Sequence, residues 1–236
     1  MKYSTPLQRV TLIKRYKRFL GDVLLEDGQE ITVHTPNTGS MLGCAEPGSH
    51  VWIRDSGSQT RKYRHSWELS ELASGVLVGV NTGLANTLVV EAIRNGVVPA
   101  LSGYGELRTE VAYGQERSRI DILLESSGEP PCYVEVKNVT ARRGDQAIFP
   151  DAVTARGTKH LRELMQVVKD GGRGVLFFCV QREDVAVFRP AFEIDPLYTE
   201  TLKQAAAVGV EVMAWRASLT PEAVLLEQPL PVLLEW

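Results

Sequence analysis

The chain changes its hydrophobic rhythm near residue 81. Before that point apolar and polar positions alternate in short runs, at residues 10–13, 19–25, 30–34, 50–53 and 67–69. Alternation with a period of two is the mark of a half-buried strand. Between the runs lie turn signals: Glu26-Asp27-Gly28, Thr35-Pro36-Asn37-Thr38-Gly39 and Glu46-Pro47-Gly48. A last run at 76–80 closes the region. About five short strands with regular turns predict a small barrel.

From Asn81 the period lengthens. Leu88, Val89, Ala92 and Ile93 form an apolar stripe over 81–96, with Asn81, Thr82 or Asn86 as candidate caps and Gly96 as the stop. Glu91 falls at the edge of that stripe. A β region follows over 107–138. A second helix is expected from Thr158 to Asp170, with Leu161, Leu164, Met165 and Val168 on one face. Residues 175–180 are continuously apolar, as expected of a strand buried on both faces. A strand at 185–188, a helix at 196–208 and a strand at 211–215 complete the series. Alternating helices and strands predict an α/β layer, so the expected organisation is a barrel over 1–82 and an α/β domain over 83–236. The tripeptide Asn-Thr-Gly occurs at 37–39 and again at 81–83; it fits turns, and its polar side chains suit phosphate contact equally.

Composition narrows this only slightly. With 44% hydrophobic residues in 236, the chain can bury a core. No apolar run is long enough to span a bilayer, and the first ten residues lack the apolar centre of a signal peptide. Cys44, Cys132 and Cys179 are few, scattered and without a CxxC pair, so no zinc site or disulfide framework is suggested and a cytoplasmic setting is expected. The net charge of −3 hides an uneven distribution. Residues 1–70 hold ten basic and seven acidic side chains, and the remainder is acidic. The basic excess is gathered at Lys14, Arg15, Tyr16, Lys17 and Arg18, and at Arg61, Lys62, Tyr63 and Arg64. Cations interleaved with rings suit a nucleic-acid surface, where phosphates and bases are met together; they also suit a solvated strand face.

The chemistry is concentrated in the stretch 119–138. Two β-like runs flank a Ser-Gly-Pro turn. If the hairpin folds about Gly128, Asp121 and Glu135 lie opposite each other, and Lys137 shares the face of Glu135. Opposed carboxylates repel. A hard divalent cation removes that cost, and a neighbouring lysine can orient water or stabilise charge on a phosphoryl group. The same spacing also fits a hairpin with Glu135 and Lys137 on its wet face. Competing sites have no anchor: there is no G-x-S-x-G elbow, dinucleotide fingerprint or P-loop. The four histidines are scattered, and His160 at a helix start reads as a structural residue. Asp151 follows Glu135 in sequence, so it cannot be the acid preceding that motif; it is expected to cap or support the segment before the second helix.

Seven segments, 14–19, 34–41, 61–68, 79–82, 118–121, 133–140 and 149–161, give the chain a resemblance over nearly its whole length to the sugar fermentation stimulation protein A (SfsA) family. The resemblance implies an N-terminal OB-like barrel and a C-terminal domain similar to PD-(D/E)xK nucleases. It also implies DNA binding and a link to sugar (maltose-type) utilisation. By position, Asp121 and Glu135 would hold Mg²⁺ or Mn²⁺, with the Val136 carbonyl as a further ligand. Lys137 would be the catalytic lysine and Glu91 an additional acid. Arg156, Lys159 and His160 would contact phosphate. Two such cores acting as a homodimer would cut both strands. The resemblance equally accommodates a DNA-binding regulator that holds nucleic acid without cutting it.

Overall fold

The computed structural model describes residues 1–114 and 118–235. Strands β1 (Gln8–Tyr16), β2 (Leu20–Leu24), β3 (Glu30–His34), β4 (His50–Asp55), β5 (His65–Glu71) and β6 (Leu77–Gly79) form the first sheet. Its order is β3-β2-β1-β4-β5-β6. A parallel contact between His34 on β3 and Ser66 on β5 closes it into a five-stranded barrel. Closure removes the open edge that a short sheet would otherwise present. Val10, Leu12, Val23, Val33, Val51, Ile53 and Trp67 point inward and are fully buried or nearly so. A bulge between Leu12 and Lys14 bends β1 around the barrel. Gly21 lies under the Trp67 ring, where a Cβ would stand 3.3 Å from two ring carbons.

A 3₁₀ turn at Thr82–Leu84 leads into α1 (Ala85–Arg94). The second domain continues through β7 (Glu106–Tyr113), β8 (Ser118–Glu125), β9 (Cys132–Val139), β10 (Arg142–Arg143) and β11 (Gln146–Phe149). Then come α2 (Ala155–Lys169), β12 (Arg173–Val180), β13 (Val187–Pro190), α3 (Pro196–Ala207), β14 (Glu211–Leu219) and β15 (Val224–Leu230). The main sheet has the order β15-β14-β12-β9-β8-β7, and β10, β11 and β13 form a small second sheet. β9, β12 and β14 are parallel neighbours, joined by the crossovers through α2 and α3. Leu88, Val89, Ala92 and Ile93 of α1 pack on Val134, Val136 and Phe177. Leu161 and Leu164 of α2 and Tyr198 and Leu202 of α3 pack on Leu176, Phe178 and Val180. The two alternating faces of β12 therefore feed two cores.

Several boundaries differ from the sequence expectation. α2 begins at Ala155, not Thr158: Thr154 Oγ1 accepts from the Gly157 amide at 3.0 Å and caps the helix. Gly157 in its first turn lets α3 approach, since a Cβ there would meet the Tyr198 ring at 3.0 Å. None of the three candidate caps serves α1, whose N-cap is Leu84 without a side-chain bond; Asn81 caps the 3₁₀ turn before it, accepting from Gly83 N at 3.1 Å. β14 runs on to Leu219, and β15 has no counterpart in the pattern reading. The part of the expected β region at 115–117 lies outside the described residues.

The domains are joined by specific contacts. Glu68, fully buried in the barrel, accepts from Arg54 Nε at 2.8 Å and from Asn81 Nδ2 at 2.7 Å. Gly79 N donates to Gln181 O at 2.8 Å. Asp151 Oδ2 accepts from Ser40 N at 2.8 Å and from its hydroxyl at 3.2 Å. Asp151 thus docks the barrel instead of capping α2. Thr82 Oγ1 donates to Pro36 O at 3.3 Å, which brings the two Asn-Thr-Gly turns together. Residues at the very start of the chain lie with the second domain: Lys2 bridges Ala223, and Tyr3 N donates to Glu222 O at 3.0 Å.

Candidate metal centre and its surroundings

The β8–β9 ladder pairs Leu124 with Cys132, Leu123 with Tyr133 and Ile122 with Val134. This register is centred on Gly128, which turns the hairpin with a φ of 84°. The next pair would be Asp121 with Glu135, and there the ladder stops. Val136 N–H, which faces β8, donates instead to Asp121 Oδ2 at 2.7 Å. A side chain has taken the place of a strand. In an extended strand a residue's N–H and C=O point the same way, so the Val136 carbonyl also faces the split. Asp121 Oδ1 accepts from Asn86 Nδ2 of α1 at 2.8 Å.

Glu135 is almost completely buried. Its Oε1 lies 2.6 Å from Lys137 Nζ and is in close contact with His160 Nδ1. Arg156 Nε approaches His160 Nε2 at 3.3 Å. That pattern assigns the proton to Nδ1, which donates to Glu135, while Nε2 accepts from Arg156. Glu135 Oε2 is buried and has no hydrogen-bond partner among the described residues. Tyr113 and Tyr198 also bury hydroxyls without partners among the described residues. Burial and the Glu135 charge push both phenols up.

The two carboxylates titrate apart. Burial, then the neighbouring Glu135 charge, raises Asp121 above the ordinary range. Burial also pushes Glu135 up, but His160 and Lys137 outweigh it and hold its carboxyl below the usual value. A buried carboxylate oxygen with no donor is costly unless a cation or water completes it. Among the described residues no three His, Cys, Asp or Glu side chains gather as a metal cluster. The donor set is two carboxylates and a backbone carbonyl, all hard oxygens, which fits a cation that keeps several waters.

The other expected site residues are placed as follows. Glu91 is not brought to the pair; its Oε2 lies 2.8 Å from the Met1 amine, and Asn86, one turn earlier on α1, reaches Asp121 instead. His160 belongs to the carboxylate cluster and not to a phosphate surface. Arg156 is exposed at the start of α2 and Lys159 partly so. Arg15 is half-buried, and its guanidinium donates to the carbonyls of Ser40, Arg18, Asn37 and Gly39, so it knits a loop together. Lys14 lies 3.5 Å from Asp22, whose Oδ1 accepts from Tyr16 at 3.0 Å. Lys17 and Arg18 form the exposed β1–β2 turn. Arg61 and Lys62 are exposed; Lys62 lies over the Tyr63 ring, and Arg64 pairs with Asp55 at 2.6 Å.

The two basic clusters meet at one mouth of the barrel. Tyr16 pairs with Leu20, Leu20 with His34, and His34 with Ser66. This puts the β1–β2 turn, His34 and the loop before β5 at one end. The Phe19 and His34 rings are 6.2 Å apart, and burial and then Arg61 lower the His34 pKa. Asn86, Tyr113 and Tyr198 were not readable as site residues, because their roles depend on which strand or helix comes to face Glu135.

Residues 13–80 match the SfsA N-terminal OB domain, and residues 83–223 match the sugar fermentation stimulation protein RE domain. The chain belongs to the SfsA family. A sugar fermentation stimulation protein homolog from Thioalkalivibrio sulfidiphilus (strain HL-EbGR7) is 56% identical over 233 residues, covering 98% of each chain. A solved structure described as Pyrococcus furiosus SfsA in complex with Ca²⁺ superposes with a TM-score of 0.88 at 28% identity. That match covers 98% of this chain and 97% of the other. The barrel is therefore an OB domain, as the resemblance implied. No helix among the described residues is long and apolar enough to cross a membrane.

Proposed function

We propose that this SfsA protein is a divalent-metal-dependent nuclease of the PD-(D/E)xK kind that binds nucleic acid, DNA foremost, over the basic mouth of its barrel. One observation carries the reading: Glu135 Oε2 is buried without a partner among the described residues, at a strand split that also holds Asp121, beside Lys137. The Ca²⁺ named for the Pyrococcus furiosus relative supports a divalent site. Asp121, Glu135 and the Val136 carbonyl would hold Mg²⁺ or Mn²⁺, which would act as a Lewis acid on a phosphate oxygen.

The chain's own residues do the rest. Lys137 and His160 fix Glu135 Oε1 and so aim Oε2 at the split. Lys137 Nζ orients the attacking water and balances charge on the phosphoryl oxygens. A bond forms between the water oxygen and phosphorus, the ester P–O bond breaks, and the leaving oxygen takes a proton. Lys17, Arg18, Arg61 and Lys62 meet neighbouring phosphates, with Phe19 and His34 as rings beside them. The effect on sugar fermentation in the family name is then downstream of nucleic-acid binding. A non-cleaving regulator is the second reading, favoured by the fact that both Asp121 oxygens already accept hydrogen bonds.

The test is a cleavage assay on labelled DNA and RNA with Mg²⁺, Mn²⁺ or EDTA, with binding scored on the same samples. Lys137→Ala is expected to lower metal-dependent cleavage by roughly 10²–10⁴-fold while sparing most binding. Binding without any cleavage in all metals would sink the nuclease reading and leave the regulator.

A further inference from the structure

A cavity of about 270 Å³ lies where the barrel meets the second domain. Arg18 and Thr38 contribute from the barrel; Thr82, Thr140, Pro150 and Thr154 contribute from the other side. Both Asn-Thr-Gly turns reach it, through Asn37, Thr38 and Gly39 from one and Thr82 from the other. We propose that this cavity is the subsite for one unpaired nucleotide, its sugar and base, next to the scissile phosphate. The proposal rests on the nuclease reading and names its substrate class: single strands and single-stranded ends.

Position is the first argument. Three stretches of chain lead from the cavity to the carboxylate site, each in one short step. Asn138, in the cavity wall, directly follows Lys137 on β9, with its side chain on the other face of the strand. Thr82 precedes Asn86, which holds Asp121, by one turn. Thr154 caps α2, and His160, bonded to Glu135, is less than two turns further on. The step along β9 is about 3.3 Å and the other two are roughly 6–9 Å at helical rise. The cavity therefore adjoins the phosphate position without overlapping it.

Chemistry is the second argument. One guanidinium, Arg18, and one carboxylate, Asp151, leave the wall close to neutral. A phosphate cradle would carry a cationic excess. Here hydroxyls alternate with Val139, Ile148 and Pro150. Donors and acceptors over an apolar floor suit a sugar and a base. Size is the third. The volume takes one nucleoside, so a base seated in it is one that has left its pair. Unpairing has a free-energy cost, least for a base that is already unpaired. The wall is also fixed: Asp151 holds Ser40, and Gly39 is packed so close that a Cβ would stand 2.3 Å from Asp151 Oδ2.

The test compares cleavage of a single strand, a blunt duplex and a duplex with a single-stranded overhang, in deoxy and ribo form, with Mg²⁺. The wild type is expected to cut the single strand and the overhang at least about tenfold faster than the blunt duplex. Ala152 is exposed on the cavity wall, so Ala152→Trp fills the space from the solvent side. It should lower kcat/KM on single strands at least about tenfold, with Tm and the Ca²⁺-induced rise in Tm unchanged. Thr38→Tyr fills the opposite wall and serves as a second variant should the first fold poorly. Equal or faster cutting of blunt duplex, or wild-type rates from both folded variants, overturns the subsite but leaves the nuclease reading standing. No cutting of any substrate by wild type overturns both.

Discussion

Both donors that reach the Glu135 carboxylate meet on the same oxygen, and that asymmetry separates the duties of its two atoms. Oε1 anchors the side chain through Lys137 and His160, while Oε2 is left to the split. Asp121 is arranged differently, with a donor on each oxygen and an unfavourable charge beside it. Its folded pKa is raised above the ordinary 3.8, so its contribution to stability is fully present below that value. The contribution is lost as pH rises through the folded value. Asp121→Asn can keep both contacts if the Asn86 amide turns over. Urea denaturation in EDTA should therefore show the variant gaining on wild type between acidic and neutral pH, and divalent cation should no longer raise its Tm. Glu193 titrates with the opposite sign. Arg189 holds it at about 2, against an ordinary 4.5. The stability it adds is present above 4.5 and is lost as pH falls toward 2, so Glu193→Gln should differ least from wild type in strong acid.

Among elements, the hairpin was legible because its register follows from alternation and one glycine: Ile122 faces Val134 as a fold about Gly128 requires. The split just beyond it was not legible, since nothing in the pattern says that Val136 N–H will bond a carboxylate and not a strand. The start of α2 was misread for a related reason. Gly157 argues against helix locally, but contact with Tyr198 of α3 decides the matter. β15 escaped notice because Leu225 and Glu227 are exposed and Pro229 interrupts the run. Thr154 satisfies an amide at the start of the helix that carries His160. Thr154→Ala should cost about 1 kcal/mol in denaturant unfolding and loosen the His160–Glu135 contact.

At the scale of the molecule, charge and docking work together. The barrel carries its basic turns at one mouth, and the loop beneath them is fastened to Asp151. Binding that rests on Lys17, Arg18, Arg61 and Lys62 should weaken with salt, the slope of log K falling by about 0.7–0.9 for each phosphate contact removed. Anisotropy titrations of the four single alanine variants measure this. Arg15→Ala should act otherwise, unsettling the 37–40 loop through its lost carbonyl contacts. Gly39→Ala forces a Cβ against Asp151 and should cost about 1–3 kcal/mol, read by calorimetry as a weakened joint between domains.

The path of the chain gives the barrel a mechanical character. Lys2 and Tyr3 are fastened along β15, the chain leaves to build the barrel, and it returns at Asn81 to start α1. The barrel is thus anchored at both of its chain ends, one before β1 and one after β6, with Gly79–Gln181 and Ser40–Asp151 as bonds between them. A module tied at both ends cannot drift off when one contact fails. Loss of the Ser40–Asp151 bond therefore loosens the joint without setting the barrel free.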